Sequence, residues 1–521
     1  MKYTKCLKTS KSNEPLTYTE VTNNFADNTN CHAIGSIKRS ESALRKSFWI
    51  ILFLTGAALT IHQICEIFET YFSYPVSINV NVTYEKSLVF PTIAICNYNM
   101  VRKSQLDLMK GSEALDLLTY TVGGDPDMSQ WENSEGRAEL RHKFLNSWSQ
   151  LNDSTRASQG HQIEEMLLDC SYNEKRCYPE DFTHFFNTKF GNCYMFNSNW
   201  KNQNIQASHQ PGPFYGLKLE LFINQEEYIP ELTESAGVVV TIHDQDVMPF
   251  PEEDGVLITP DVQSNVAMVV EKIQRMPSPY PSDCLSVSRR EAYDYSAYSE
   301  LYPVRYTHHA CYRTCLQAHL FKECNCGDPA IPMEGTALYN LVDDKENIRT
   351  VCTKDQQKCK EKVHQQYLNR ELKCNCSVAC EDTIFEKTVS TLQWPNTNYK
   401  EVFYNHLAKR NPQLESVMKS HSEKGTNPGN HLVKLLIYYS EFNFKAIEES
   451  SSYPLSTLLS NLGGSISFYL GMSVVAAFEL LEYLFDLVLV ACNKSRDKKE
   501  YRVKANDENR RMKDLDDREE E

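Results

Sequence analysis

Small and polar residues interrupt the longer of two apolar stretches in this sequence. The segment Leu458-Leu459-Ser460-Asn461-Leu462-Gly463-Gly464 is followed a few residues later by Gly471-Met472-Ser473. A glycine- and serine-rich interruption frees backbone groups that lipid cannot satisfy, so it is tolerated only where it faces protein or water. Backbone carbonyls and small side chains can also replace the hydration shell of a cation. The pattern therefore predicts a polar path at membrane depth.

Three acidic residues follow this interruption. Glu479, Glu482 and Asp486 are spaced i, i+3 and i+7, so in a helix they share one face. Such a face can concentrate cations at the inner mouth of a pore. Alternatively, the charges reach from the helix to a nearby aqueous interface, as long charged side chains do. Both interpretations stay open at this point.

Two apolar stretches are long enough to cross a bilayer, which takes roughly 20 residues. The first, from Ser47 to Cys65, is uncharged, and the second runs from about Tyr453 to Val490. The second is too long for one simple span, so a tilted or broken helix must absorb the excess. Basic residues lie next to both stretches on their outer sides along the chain: Lys38, Arg39, Arg45, Lys46, Lys494, Arg496, Lys498 and Lys499. The positive-inside rule therefore puts both termini in the cytoplasm.

This topology divides the chain into five parts. They are a cytoplasmic N-terminus (1–46), a first span (47–70), an extracellular domain (71–450), a second span with the pore (451–491) and a cytoplasmic tail (492–521). The first forty residues have no apolar core, so we expect no secretory signal peptide and an internal span that exports the loop. A net charge of −15 over 521 residues argues against nucleic acid as a partner.

Cysteine placement is consistent with an extracellular loop. Of the 18 cysteines, fourteen lie between the two spans, at positions 96, 170, 177, 193, 284, 311, 315, 324, 326, 352, 359, 374, 376 and 380. An even number in an oxidising compartment predicts disulfides, whose connectivity the sequence alone does not fix. Zinc binding through Cys324-x-Cys326 and Cys374-x-Cys376 is the alternative, with tighter spacing than is usual for zinc. Asn81, Asn152 and Asn375 begin glycosylation sequons, and Asn375 is expected to be the least accessible.

The loop mixes strand and helix patterns. Ser77–Tyr84 and Leu217–Ile223 alternate apolar and polar residues, which predicts half-buried strands. Gly237–Ile242 is rich in β-branched residues and predicts a more buried strand. Leu432–Phe444 predicts one long strand that pairs with the first strand, and Asp355–Leu372 predicts an exposed helix. The fold class expected is therefore a membrane α+β protein.

Several blocks of residues resemble the degenerin/epithelial sodium channel family, which includes acid-sensing and peptide-gated channels. The resemblance covers about residues 25–490, and the order of the fourteen cysteines matches as well. The blocks are Tyr71-Phe-Ser-Tyr-Pro-Val76, Phe90-Pro-Thr-Ile-Ala-Ile-Cys-Asn97, Gly191-Asn-Cys-Tyr-Met-Phe-Asn197, Phe250-Pro251 and Arg275-Met-Pro-Ser-Pro-Tyr280. Any one of them alone is weak, but together they are specific.

The resemblance implies a trimer in the plasma membrane. Each subunit would have two transmembrane helices and an outer domain built from finger, thumb, palm, knuckle and β-ball. The implied disulfides are Cys96–Cys193, Cys170–Cys177, Cys284–Cys380, Cys311–Cys376, Cys315–Cys374, Cys324–Cys359 and Cys326–Cys352. Each bridge typically contributes ~2–4 kcal/mol.

The resemblance also assigns roles near the spans. Gly471-Met472-Ser473 matches the Gly-x-Ser selectivity filter, although small residues can also serve helix–helix packing. Ser460 matches the degenerin position near the gate, where a larger side chain holds the pore open, and Ser467 matches the position of amiloride block. Tyr71 and Tyr280 match an aromatic pair that couples the first span to the thumb.

One position departs from the family pattern. The family has a His-Gly pair before the first span, and this chain has His32-Ala33, with Gly35 two residues later. If the turn there needs a backbone that only glycine tolerates, Ala33 would strain it and Gly35 would have to take over.

The resulting expectation is an amiloride-sensitive, sodium-selective channel opened by an extracellular ligand, either a proton or a neuropeptide. The titratable candidates are His308, His309, Glu226-Glu227 and Glu252-Glu253-Asp254, each also explicable as an ordinary surface group. The expected partners are sodium ions, that ligand, membrane lipid, and either identical or related subunits. We expect no catalytic residue, cofactor or metal, because no enzyme motif occurs. The alternatives are a constitutively open epithelial-type subunit, an ATP-gated channel and a two-span receptor without a pore.

Overall fold

The computed structural model describes residues 17–29, 32–109, 141, 144–145, 147–148, 151–201, 204–230, 232–287, 291–342, 350–408, 415–417, 427–476 and 478–491. Within the chain, two compact units are distinguished. One consists of Met1–Ser77 with Ser451–Glu521, and the other is Ile78–Ser450. The cytoplasmic tail predicted for 492–521 lies outside the described residues.

The first unit begins with three helices, α1 (Tyr18–Asn28), α2 (His32–Arg39) and α3 (Ala43–Phe72). Helix α3 has 30 residues, and among the described residues it is the one helix long and apolar enough to cross a membrane. It contains the whole of the predicted stretch Ser47–Cys65. Most of its large apolar side chains are exposed, as expected of a surface that faces lipid.

In the described part of the chain, eight α-helices surround the sheets of the second unit. They are α4 (Asp153–Gln159), α5 (Ile163–Met166), α6 (Pro251–Asp254), α7 (Ala297–Leu301), α8 (His308–Cys324), α9 (Thr336–Leu341), α10 (Gln357–Leu368) and α11 (Lys400–Ala408). The prediction of an exposed helix over Asp355–Leu372 was too long, and it was wrong about one face. Val363 is fully buried against the disulfide-rich region, because the apolar side of α10 packs on α8. Helix α12 (Leu455–Leu470) belongs to the first unit.

Two main sheets form the centre of the second unit. The strands are β1 (Val76–Tyr84), β2 (Leu88–Val89), β3 (Thr92–Asn97), β4 (Leu167–Tyr172), β5 (Lys175–Arg176), β6 (Phe182–Asn187), β7 (Gly191–Phe196), β8 (Ala207–Ser208), β9 (Leu217–Phe222), β10 (Val238–His243), β11 (Val256–Ile258), β12 (Val262–Gln274), β13 (Glu381–Gln393), β14 (Leu432–Tyr439) and β15 (Asn443–Ser451). The larger sheet has the order β1-β15-β12-β14-β9-β4-β5, with β13 paired to β12. The smaller has the order β11-β10-β3-β7-β6, and β2 pairs with β8.

The predicted strands are present, but their burial and extent need correction. Strands β1 and β9 were both predicted to be half-buried, whereas β1 is almost wholly exposed and β9 almost wholly buried. The long strand expected over Leu432–Phe444 is divided into β14 and β15, and residues 440–442 separate them. Both halves pair in parallel with the single strand β12, so the polypeptide bends without leaving the sheet. Strands β1 and β15 are neighbours, so the first strand pairs with the last one, but most of β15 lies beyond Phe444, where the predicted strand ended.

The smaller sheet is buried on both faces, which explains its unbroken apolar strands. Along β3, Ile93 and Ile95 pack towards the larger sheet, where Leu435 and Ile437 meet them. The alternate residue Ala94 packs on the opposite side with residues of α8 and α10. Because successive strand side chains point to opposite faces, one strand serves two cores.

Seven disulfides reinforce the second unit, and they are the seven pairs that the family resemblance implies. Cys96–Cys193 joins adjacent strands β3 and β7 at a directly paired position. Five bridges connect α8, α10 and the segments beside them. Because Cys324, Cys326, Cys374 and Cys376 are all bonded to other cysteines, they offer no thiolate, and the zinc alternative is wrong.

Candidate functional site

The backbone leaves the helical conformation at the small residues that the sequence singles out. Helix α12 ends at Leu470, and Gly471 adopts the left-handed conformation with φ 62° and ψ 24°. Its N–H donates to the carbonyl of Ser467 at 2.9 Å. The hydroxyl of Ser473 then accepts from the N–H of Ala476 at 3.3 Å, as at the start of a helix. Residues 474–476 and 478–491 are helical again, so Gly471-Met472-Ser473 is a three-residue break.

One stripe of α12 leads to this break. Ser460, Gly464 and Ser467 are exposed on α12, and Gly471 follows it. Their spacing of four, three and four residues places them on the same helical face. The stripe carries little more than hydroxyls and backbone, so this face is polar in a helix whose other positions are mainly apolar.

Ser460 also lines a polar cleft between α3 and α12. The cleft has a volume of about 660 Å³. Its α3 wall includes Gln63, Glu66 and Glu69, and its α12 wall includes Asn461 as well as Ser460. Glu66 directly follows the uncharged run Ser47–Cys65, and neither Glu66 nor Glu69 was predicted to line a site. The i, i+3 spacing of the two glutamates was the signal that would have found this acidic wall.

The two helices meet closely just before the break. An added Cβ at Gly56 of α3 would lie 2.7 Å from the carbonyl oxygen of Tyr469. Only glycine permits this approach, as in small-residue contacts between membrane helices. Gly56 was not singled out from the sequence, because nothing near it in the chain distinguishes it.

The acidic residues lie beyond the break on the helical segment 478–491. Glu479 and Asp486 are half-buried and Glu482 is exposed. Because segment 478–491 is helical, the i, i+3, i+7 spacing places Glu479, Glu482 and Asp486 on the same face of the helix.

The N-terminal helix α1 packs on the same segment. The ring of Phe25 stacks on Tyr483, with centroids 4.4 Å apart and an interplanar angle of 17°. The Tyr483 hydroxyl lies 3.1 Å from the hydroxyl of Thr22. A capping box between Thr17 and Glu20 starts α1. This contact joins residues more than four hundred positions apart, and no local pattern announces it.

The expected strain at Ala33 is wrong. His32 is the first residue of α2, and Ala33 and Gly35 lie within the same helix. Neither Ala33 nor Gly35 has a positive φ. Alanine is the best helix former, so the substitution suits this conformation.

The proposed coupling aromatics lie in different compact units. Tyr71 belongs to an aromatic group at the end of α3, where its ring centroid is 6.5 Å from that of Tyr453. Tyr280 lies in a turn whose backbone joins Tyr280 N–H to the Pro277 carbonyl. A contact between Tyr71 and Tyr280 stays a prediction.

Two of the titratable groups proposed as sensors are direct partners. The imidazole Nδ1 of His309, on α8, lies 3.0 Å from a carboxylate oxygen of Glu253, on α6. This hydrogen bond raises the pKa of His309. Burial works against the charge of Glu253, yet the His309 and Arg313 partners lower its pKa to about 2. His308 instead meets the carbonyl of Cys376, and burial lowers its pKa.

The three sequon asparagines are all exposed, and the expectation that Asn375 is the least accessible of them stays a prediction. Asn375 lies between two bridged cysteines, but both bridges run inward to α8 and leave its side chain outside. Asn152 caps α4 through its side-chain oxygen, which accepts from the N–H of Thr155. Asn81 lies on strand β1.

A helix broken at glycine, a polar stripe, an acidic helical face and a disulfide-rich outer unit together fit a cation channel. The family model described as "Amiloride-sensitive sodium channel" matches residues 25–483. The chain therefore belongs to the amiloride-sensitive sodium channel family, which consists of channels rather than enzymes.

Named relatives are subunits of epithelial sodium channels. The human epithelial sodium channel subunit beta is 28% identical, over 91% of this chain and 83% of the relative. The guinea pig (Cavia porcellus) subunit alpha is 26% identical, over 91% of this chain and 77% of the relative. The Xenopus laevis subunit beta-2 is 25% identical, over 94% of this chain and 86% of the relative.

Proposed function

We propose that this chain is a pore-forming subunit of a sodium-selective, amiloride-sensitive channel of the plasma membrane. Helix α3 forms the first span and α12 with segment 478–491 forms the second, with both termini in the cytoplasm. Three subunits, identical or related, surround the pore. The observation that carries this proposal is the left-handed break at Gly471 in a chain of the sodium channel family.

The proposed path for sodium follows the second span. Ser460 lies at the gate beside the acidic wall of Glu66 and Glu69. The break exposes carbonyl oxygens that can replace water around a dehydrated sodium ion. Glu479 and Asp486, repeated in each subunit, attract cations to the inner mouth, while Ser467 is the amiloride contact.

The proposed gating stimulus is an extracellular ligand, a proton or a neuropeptide. The pairing of His309 with Glu253 supports the proton, because it places between α6 and α8 an imidazole whose pKa the hydrogen bond to Glu253 raises. A constitutively open subunit is the second candidate. It is favoured by the named relatives, which are epithelial sodium channel subunits.

Voltage clamp of cells expressing this chain tests the proposal. Acid steps and a panel of amidated neuropeptides are applied, each with and without amiloride. An amiloride-blocked sodium current is the expected result, and its trigger separates proton, peptide and constitutive gating. If wild type is silent, Ser460→Trp should hold an intact homomeric pore open, and co-expression with a related subunit tests a heteromeric one.

Two further variants examine the pore assignment itself. Glu479→Gln keeps the side-chain shape and removes one charge per subunit, so single-channel sodium conductance should fall. Glu85→Gln, on the exposed segment after β1, is the matched control and should leave conductance unchanged. Equal conductance for Glu479→Gln and wild type, together with unchanged selectivity in Ser473→Cys, would contradict the assignment.

A further inference from the structure

A cavity of about 280 Å³ lies in the second unit where β6, α6, α7 and α8 approach the loop 329–333. Its apolar lining includes Phe186, Phe250, Ile331 and Met333. Leu301, which is 56% exposed, lies at its rim and gives it an opening to solvent. The volume is near the lower end of the range for small-molecule sites, and the lining combines apolar side chains with an about equal share of polar surface.

The charged side chains that line this cavity are already paired within the protein. Arg313 meets Glu252 at 2.7 Å, and the other carboxylate oxygen of Glu252 accepts from the side-chain amide of Asn187 at 2.8 Å. Arg156 forms an ion pair with Asp153 on the same helix. A charged ligand would have to compete with these pairs, so the cavity favours an uncharged one.

Two polar atoms in the wall have no hydrogen-bond acceptor among the described residues, the Nε of Arg156 and the hydroxyl of Tyr298. Tyr298 is 4% exposed and lines the cavity. Among the described residues its hydroxyl makes no hydrogen bond. Arg313 is close enough to donate to the Tyr298 hydroxyl oxygen, but a guanidinium only donates, so the hydroxyl hydrogen still has no acceptor. Burial raises the pKa of Tyr298, so the hydroxyl stays protonated at physiological pH and remains a donor.

We propose that this cavity binds a small uncharged organic ligand with a ring-sized apolar body and a carbonyl oxygen. The body packs on Phe186 and Phe250, and the carbonyl accepts a hydrogen bond from Tyr298. A buried donor without an acceptor is unfavourable, so a ligand acceptor recovers free energy that the empty site lacks. The inference concerns binding alone and does not depend on ion permeation through the second span.

Three fluorinated probes of similar size separate the contributions of the apolar ring, the carbonyl oxygen and the charge to binding. 4′-Fluoroacetophenone has the ring and the carbonyl, 1-fluoro-4-isopropylbenzene replaces the carbonyl by a hydrocarbon group, and 4-fluorobenzoate adds a charge. Binding to the purified full chain in nanodiscs is followed by ¹⁹F NMR. Ala330→Trp places a large side chain in the cavity beside the loop. The probe signal that remains in this variant is the partition of that probe into lipid.

The ketone is expected to bind most tightly, and Ala330→Trp should abolish that binding. Tyr298→Phe should weaken binding of the ketone by about 2- to 12-fold, as expected for the loss of one hydrogen bond. Binding of the hydrocarbon probe should be unchanged. Tyr312→Phe, on α8 outside the cavity lining, is the matched control and should change the affinity of neither the ketone nor the hydrocarbon probe. If Tyr298→Phe does not fold, the proposal is still tested by two comparisons. Wild type should bind the ketone more tightly than the hydrocarbon, and Ala330→Trp should lose this preference.

Three outcomes overturn the proposal. In the first, the ketone either does not bind or binds equally well to wild type and to Ala330→Trp, which means that the cavity holds water only. The second is a ketone preference that persists in folded Tyr298→Phe, so that the hydroxyl is not the donor. The third is tighter binding of the benzoate, because the paired charges would then not exclude an anion.

Discussion

Replacing Gly471 by alanine isolates the backbone geometry of the helix break. An added Cβ there meets no described atom within 4 Å, so a steric clash is not the issue. The cost comes from φ, which is 62° and would cost an L-residue about 1–2 kcal/mol. Alanine would also favour continuing the helix through this position.

Two neighbouring glycines provide matched controls. Gly463 and Gly464 lie inside the same helix α12, and an added Cβ at either also meets no described atom within 4 Å. Neither has a positive φ, so alanine there should gain about 0.8–1.0 kcal/mol of helix propensity. The three substitutions are chemically identical, yet Gly471→Ala and the controls should differ by about 2–3 kcal/mol.

The variants are compared by apparent melting temperature in one detergent and by reversal potential in sodium and potassium solutions. Gly471→Ala should melt at a lower temperature and select less well for sodium. Gly463→Ala and Gly464→Ala should melt at the wild-type temperature or above, and Gly463→Ala, which lies off the polar stripe, should also keep the wild-type reversal potential. Equal melting temperatures for all three variants would refute the argument from the left-handed conformation.

Three further predictions follow from specific contacts. Gly56→Ala should lower the melting temperature more than any of these variants, because the new Cβ would lie 2.7 Å from a backbone carbonyl of α12; unchanged melting would contradict the close approach. Glu253 raises the pKa of His309 above 6.5, so the pair stabilises the fold below about pH 6.5, and this contribution is lost as pH rises through the raised value. His309→Asn should therefore flatten the pH dependence of melting above pH 6.5, with His364→Asn as an exposed control on α10. Tyr483→Phe keeps the ring stack with Phe25 and loses one hydroxyl contact, whereas Tyr483→Ala loses both. The melting temperature should therefore fall more in the alanine variant than in the phenylalanine variant, and equal melting temperatures would argue against the stack.

Much of the fold could be predicted from the sequence because the signals are local. Alternation along Leu217–Ile223 and the β-branched run at Gly237–Ile242 give strands within one or two residues of the observed ends. The apolar run at Ser47–Cys65 gives the core of α3. The division of Leu432–Phe444 into two strands was not predictable in this way, because strand β12, which pairs with both halves, lies far away in the sequence.

The candidate site was only partly predictable, for the same reason. Gly471 and Ser473 stand out because they interrupt an apolar run. The partnership of His309 with Glu253 joins two groups that the sequence offered separately, since only the fold brings α6 to α8. Likewise, Tyr298 stands out because its buried hydroxyl has no acceptor among the described residues, and the absence of an acceptor cannot be seen in a sequence pattern.

Gly56 shows how a distant residue makes the break at Gly471 tolerable. The last turn of a helix leaves carbonyls without intrahelical partners, and lipid cannot satisfy them. At the end of α12 the carbonyl of Ser467 accepts from Gly471. The carbonyl of Tyr469 instead faces Gly56, where a Cα hydrogen takes the direction that a Cβ would occupy. Such a Cα–H contact is weak, but it also keeps the carbonyl covered by protein. The break therefore depends on two glycines, one for its own φ and one for the space that its neighbour needs.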